Sequence, residues 1–104
     1  METEEIHHEG ERLGYVLRNL HKAEGRKFPS KNEDFLQMGI LELKKGEWIH
    51  PHFHIERERV INKTHKAIYV ISGKMEFTFY KKGVKIKETT VHQGEIIFLL
   101  EGGF

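Results

Sequence analysis

The chain predicts an all-β protein. Short apolar or alternating segments of about five to eight residues recur along it, as strands require. Glycine-containing breaks separate them. No long stretch carries a helical period.

Leu13 to Leu20 (LGYVLRNL) opens the pattern, and Gly14, Tyr15 and Val16 suit a pleat better than a helix interior. His21 to Asp34 is polar, carries Gly25 and Pro29, and reads as a loop. Phe35 to Leu43 reads as a strand ending at Lys44-Lys45-Gly46. Trp48 to Ile55 alternates and would set Trp48, His50, His52 and His54 on one face. Ala67 to Ile71 is continuous and apolar, and Ser72-Gly73 turns it into Lys74 to Tyr80. There Met75, Phe77 and Phe79 share a face and are expected in the core. Lys81-Lys82-Gly83 turns into Val84 to Val91, and His92-Gln93-Gly94 leads to Ile96 to Leu100. Such strands point to a sandwich or small barrel.

A length of 104 residues leaves room for one domain, and a hydrophobic share of 38% is enough to build its core. No cysteine is present, which removes disulfides, thiolate-held zinc and thiol nucleophiles. A net charge of +1, with acids and bases interspersed, argues against nucleic acid and anionic membranes as partners. No apolar run approaches the roughly 18–20 residues of a membrane span. The N-terminus is acidic where a targeting peptide is basic, so a soluble, cytoplasmic protein is expected. Lys and Glu far outnumber Asn and Gln, a bias seen in heat-adapted proteins.

The chemistry lies in the histidines. Of eight, three fall at positions 50, 52 and 54, where period-two spacing points the rings of His52 and His54 the same way. Neutral imidazoles so placed suit a divalent metal, and the alternative is a solvated strand face. His7, His8, His21 and His92 read as solvated or structural, and Trp48 as a rim or core packing residue.

Gly46, five residues, His52, one residue, His54 resembles the first motif of the cupins, Gly-x5-His-x-His. Gly73 after AIYVIS fits the glycine that closes that motif, and the run Ile71 to Glu76 is similar to the family's Val-Leu-Glu-Gly-Glu. Gly94 opens a stretch resembling the second motif, with Leu100, Glu101 and Gly102 at its Pro-x-Gly positions. The resemblance covers Phe35 to Phe104 and implies a cupin-type double-stranded β-helix, or jelly roll. Residues 1–34 would then supply N-terminal strands and a polar loop packed on a 35–104 core.

The chain departs from that pattern. Lys66 stands where cupins carry a ligand Glu, and the last motif histidine would fall at or past Phe104. Glu58 or His65 would have to supply a third ligand to His52 and His54. Glu58, Arg59, Ile61 and Asn62 resemble a stretch of small cupins found with sugar and surface-polysaccharide genes. Arg57 or Arg59, with Trp48, would then contact an anionic substrate.

The resemblance implies binding of a small metabolite, a sugar or keto acid, with a zinc, nickel, iron or manganese ion at low occupancy. A second expectation is a metal-free sugar-nucleotide isomerase or epimerase. There His52 or His54 is the general base and Lys66 stabilises an enolate. A third is a sensor without chemistry. The apolar strand Ile96 to Leu100 would expose an edge on which Glu4 to Leu20 pairs, within the chain or by exchange with a second subunit, so a homodimer is expected, with an N-terminal strand crossing between subunits or sheets. The alternative is that the chain is part of a longer cupin.

Overall fold

A computed structural model describes residues 1–104. Eight strands form, with one 3-10 turn and no α-helix: β1 (Glu2–His8), β2 (Glu11–Arg18), β3 (Arg26–Lys27), β4 (Ile40–Leu41), β5 (Lys66–Tyr69), β6 (Lys74–Lys81), β7 (Val84–His92) and β8 (Ile96–Leu99). The all-β expectation holds. The strands make one four-stranded antiparallel sheet, ordered β1-β2-β8-β5, and two ribbons, β3-β4 and β6-β7. These sheets do not close into a barrel.

Two hairpins use the same turn chemistry. Lys82 and Gly83 have φ of 51° and 76° between β6 and β7, and Glu9 and Gly10 have 49° and 78° between β1 and β2. Consecutive positive φ values match the twist of paired strands, and glycine at the second position removes most of the steric cost. The register of β1 on β2 shifts between Ile6 and His7, so Leu13 is an extra residue on β2.

The main core lies between the four-stranded sheet and the β6-β7 ribbon. Ile6, Leu13, Val16, Ile97 and Leu99 from the sheet meet Phe77, Phe79 and Val91 from the ribbon, with Val70 beside them. The opposite face of the sheet buries Tyr15, Leu17, Phe98 and Leu100, against which Leu20, Met38 and Ile40 pack. Tyr15 stacks on Phe98 at 4.6 Å, and its burial pushes the phenol pKa up to about 12. β8 is therefore apolar throughout because both of its faces are covered.

Polar contacts tie the layers at their ends. Arg18, closing β2, donates to Thr90 O, Glu95 Oε1, Glu4 Oε2 and Thr89 Oγ1 at 2.6–3.1 Å. It thereby joins β1, β7 and the turn before β8. Arg12 pairs with Asp34, which also accepts the Lys31 amide at 2.9 Å and so holds the 30–38 loop against the sheet.

Several expectations need correction. Trp48 to Ile55 forms no strand, and of Phe35 to Leu43 only Ile40–Leu41 does. Glu2–His8 is a strand that alternation had not marked. Met75 is 46% exposed, although its cross-strand partner Val91 is fully buried, whereas Phe77 and Phe79 are buried. Residues 1–34 supply strands β1 and β2, and β2 is an interior strand paired with β8. That pairing fills one edge of β8 and β5 fills the other, so the N-terminal segment covers Ile96–Leu99 within the chain.

Candidate functional site

Beyond β4 the chain leaves the core. Every residue from Leu41 to Thr64 is exposed, and no main-chain hydrogen bond within the chain involves residues 48–65. Alternation alone does not make a strand; a neighbouring backbone must satisfy its amides and carbonyls.

The side chains still converge. The rings of His52 and His54 meet edge to face with centroids 5.5 Å apart, and Trp48 and His50 pack at 4.6 Å. His52 Nδ1 lies 2.9 Å from the His50 carbonyl oxygen. A carbonyl only accepts, so Nδ1 is the donor, and in the neutral ring Nε2 is the nitrogen left to meet a ligand or a substrate proton.

Both rings line a cleft of ≈ 400 Å³ to which Arg26 and Leu41 of the β3-β4 ribbon also contribute. Arg26 lies opposite Leu41 in that ribbon, and Glu42 N donates to Gly25 O at 2.7 Å to close it. Phe28 sits over Gly39, where a Cβ would come within 2.7 Å of its ring, so glycine lets the ring approach the backbone. Phe28, Leu41 and Ile49 supply an apolar lining, and Arg26 a positive charge. No carboxylate lines this cleft. Gln37 also borders it, but its amide donates to the Lys31 and Asp34 carbonyls at 2.9 and 3.2 Å, so it braces the loop.

The other sequence candidates lie elsewhere. His65 stacks on Phe35 at 4.5 Å and lines a separate cleft with Glu11, Glu33, Asp34 and Glu101. The Lys66 ammonium stands 5.2 Å over the Phe104 ring. Glu58, Arg57 and Arg59 are exposed on the segment past the cleft, and Trp48 is 63% exposed beside His50 rather than in the lining. Of the expected ligands the structure brings together only His52 and His54. Nowhere do three His, Asp or Glu side chains gather in a metal-holding group.

Arg26 is the residue that sequence reasoning missed. It sits inside a stretch whose polarity and glycine read as loop, and two-residue ribbons leave no alternation to detect.

Compared with models of known protein families, with curated proteins and with solved structures, the chain matches none. No helix is long and apolar enough to cross a membrane.

Proposed function

We propose that the chain is a small cupin-type protein that binds a small metabolite, a sugar or keto acid, in the His52–His54 cleft. The observation that carries this reading is the pairing of the two imidazoles at 5.5 Å on one wall of a part-apolar cleft. The spacing Gly46-x5-His52-x-His54 supports the cupin assignment, as does a four-stranded sheet facing a two-stranded ribbon across one core. A jelly roll is likewise built from facing antiparallel sheets.

The donor set does not complete a metal site. Two imidazoles fall short of the three protein ligands usual around a catalytic ion, and the positive charge of Arg26 in the same lining opposes a dication. A zinc, nickel, iron or manganese ion would be held weakly, and no chemical step is assigned to it.

The carboxylate-free lining favours a second reading, proton transfer at a carbon beside a carbonyl, as in a sugar-nucleotide isomerase or epimerase. His52 Nε2 is the free base, and Arg26 takes the enolate-stabilising role first considered for Lys66. Titration with pyruvate, 2-oxoglutarate and galactose, followed by NMR, tests the site. Binding that weakens at least tenfold in His52→Ala and His54→Ala supports it, and binding that ignores both substitutions overturns it. Solvent-deuterium exchange into the bound keto acid separates chemistry from binding alone.

A further inference from the structure

One end of the four-stranded sheet holds a second cleft, of ≈ 340 Å³, that shares no residue with the His52–His54 cleft. Across β2, β8 and β5, Ile96 lies between Leu17 and Tyr69. Past that row all three strands leave the sheet. β2 runs out into Asn19 and the 3-10 turn Leu20–Lys22, Tyr69 ends β5, and β8 is entered through Gln93-Gly94-Glu95. These three chain ends line the cleft. Its volume is that of a small-molecule site, roughly 300–1,000 Å³.

Glu95 is the preset group. Its side chain is 15% exposed, and Oε1 accepts from Arg18 Nη1 at 2.6 Å and from the His92 amide at 2.7 Å. Oε2 accepts from nothing in the chain. A carboxylate has lone pairs on both oxygens, so one fixed through Oε1 alone still calls for a donor at Oε2. The surrounding polar groups are equally unused. The side chains of Asn19, His21, Tyr69 and Gln93 make no hydrogen bond within the chain.

The kinds of group present select the ligand. Two primary amides, a phenol and an imidazole each both donate and accept, as a sugar hydroxyl does. The Tyr69 side chain, on a residue 55% exposed, adds an aromatic face for the apolar C–H face of a pyranose ring. Charge argues against the other classes. No Lys or Arg lines the cleft, so an anion meets no free cation there. Glu95 is already paired with Arg18, so a cation gains less than it would at a bare carboxylate.

We infer that this cleft binds a neutral sugar of monosaccharide size. Glu95 Oε2 accepts from one hydroxyl, the amides of Asn19 and Gln93 bond others, and Tyr69 packs on the ring. The inference does not rest on the function proposed for the His52–His54 cleft, because the two linings are separate.

NMR titration of the full-length ¹⁵N-labelled chain with galactose tests it, alongside the charged analogues gluconate and glucosamine. Galactose should shift the amides of residues 19–21 and 93–95 saturably. Tyr69→Ala and Gln93→Ala should each weaken that binding by roughly fivefold or more. Tyr69→Phe, which keeps the ring, should retain more of it than Tyr69→Ala. His52→Ala should leave it unchanged, which separates this site from the His cleft. Far-UV circular dichroism checks that the variants keep the wild-type β signal. Absence of saturable shifts at residues 19–21 and 93–95 would overturn the inference. So would galactose binding that ignores both Tyr69→Ala and Gln93→Ala, or that is lost in His52→Ala. Gluconate or glucosamine binding here more tightly than galactose would overturn the neutral-sugar assignment.

Discussion

Phe79 closes over the Cα of Gly14, so that a Cβ at position 14 would come within 2.9 Å of Phe79 Cε1 and overlap the Phe98 carbonyl oxygen. The second obstacle is backbone of the paired strand β8 and cannot rotate away. Gly14→Ala should therefore destabilise by about 1–3 kcal/mol through overpacking, read as a lower urea midpoint at unchanged slope. A variant as stable as wild type would show that the ribbon and sheet slide apart freely.

Arg18 should be the most costly surface-edge charge to remove. It donates to two carboxylates, a hydroxyl and a carbonyl drawn from three parts of the chain. Hydrogen bonds to charged groups contribute roughly 1.5–3 kcal/mol net, so Arg18→Met should cost an amount of that order in chemical denaturation. Arg26→Met, at an open cleft, should stay within about 0.5 kcal/mol of wild type.

Acid should act partly through Glu4. Its burial alone would raise the carboxyl pKa, but the Thr89 hydroxyl and Arg18, with Lys87 further off, together hold it below the ordinary value of 4.5. A carboxyl depressed on folding contributes stability above its unfolded pKa and loses it as the pH falls through the folded value. Stability should thus drop on acidification below about pH 4.5, and Glu4→Gln should flatten that drop while lowering stability at pH 7. A Glu4→Gln curve parallel to wild type would contradict this linkage.

How far the sequence discloses this structure depends on whether each segment's partners are local. The turns at Gly73, Gly83 and Gly94 adopt positive φ and join strands where the glycines predict them. Val84 to Val91 and Ile96 to Leu100 match β7 and β8 to within a residue. β1 escaped notice because glutamates, poor strand formers, fill it, although Glu9-Gly10 is the same turn signal as Lys82-Gly83. Trp48 to Ile55 shows the converse: the alternation is present, yet no neighbouring backbone pairs with it. His52 and His54 were legible from spacing alone, because residues two apart remain side by side even without a ladder. Arg26 was not, because its place in the same lining depends on a tertiary approach of the β3-β4 ribbon.

Asp34 anchors a loop and neutralises a buried cation. The Arg12 and Asp34 side chains are 6% and 12% exposed, and Arg12 Nη1 already lacks a hydrogen-bond partner. The guanidinium also lies 4.8 Å from the Tyr15 ring. Removing the carboxylate leaves a buried charge uncompensated, which costs about 3–5 kcal/mol. Asp34→Ala should show that loss in thermal and urea unfolding, and the double variant Asp34→Ala with Arg12→Met should recover part of it.

The final prediction concerns which histidines act together. Chelator-free protein titrated with nickel should show weak binding, because two imidazoles are the whole donor set and no carboxylate lines the cleft. His52→Ala and His54→Ala should each abolish the nickel-induced rise in melting temperature. His65→Ala and Glu58→Ala should leave it unchanged, since His65 stacks on Phe35 in a different cleft and Glu58 lies outside the His lining. Both single His variants should keep wild-type stability without metal to within about 0.5 kcal/mol, because their side chains are exposed. Arg26→Gln should strengthen nickel binding by removing the facing positive charge, whereas it should weaken binding of an anionic keto acid. Opposite responses of cation and anion to one substitution would place both in the same cleft. A loss of nickel binding in His65→Ala would instead bring His65 to the His52–His54 pair and overturn the two-histidine site.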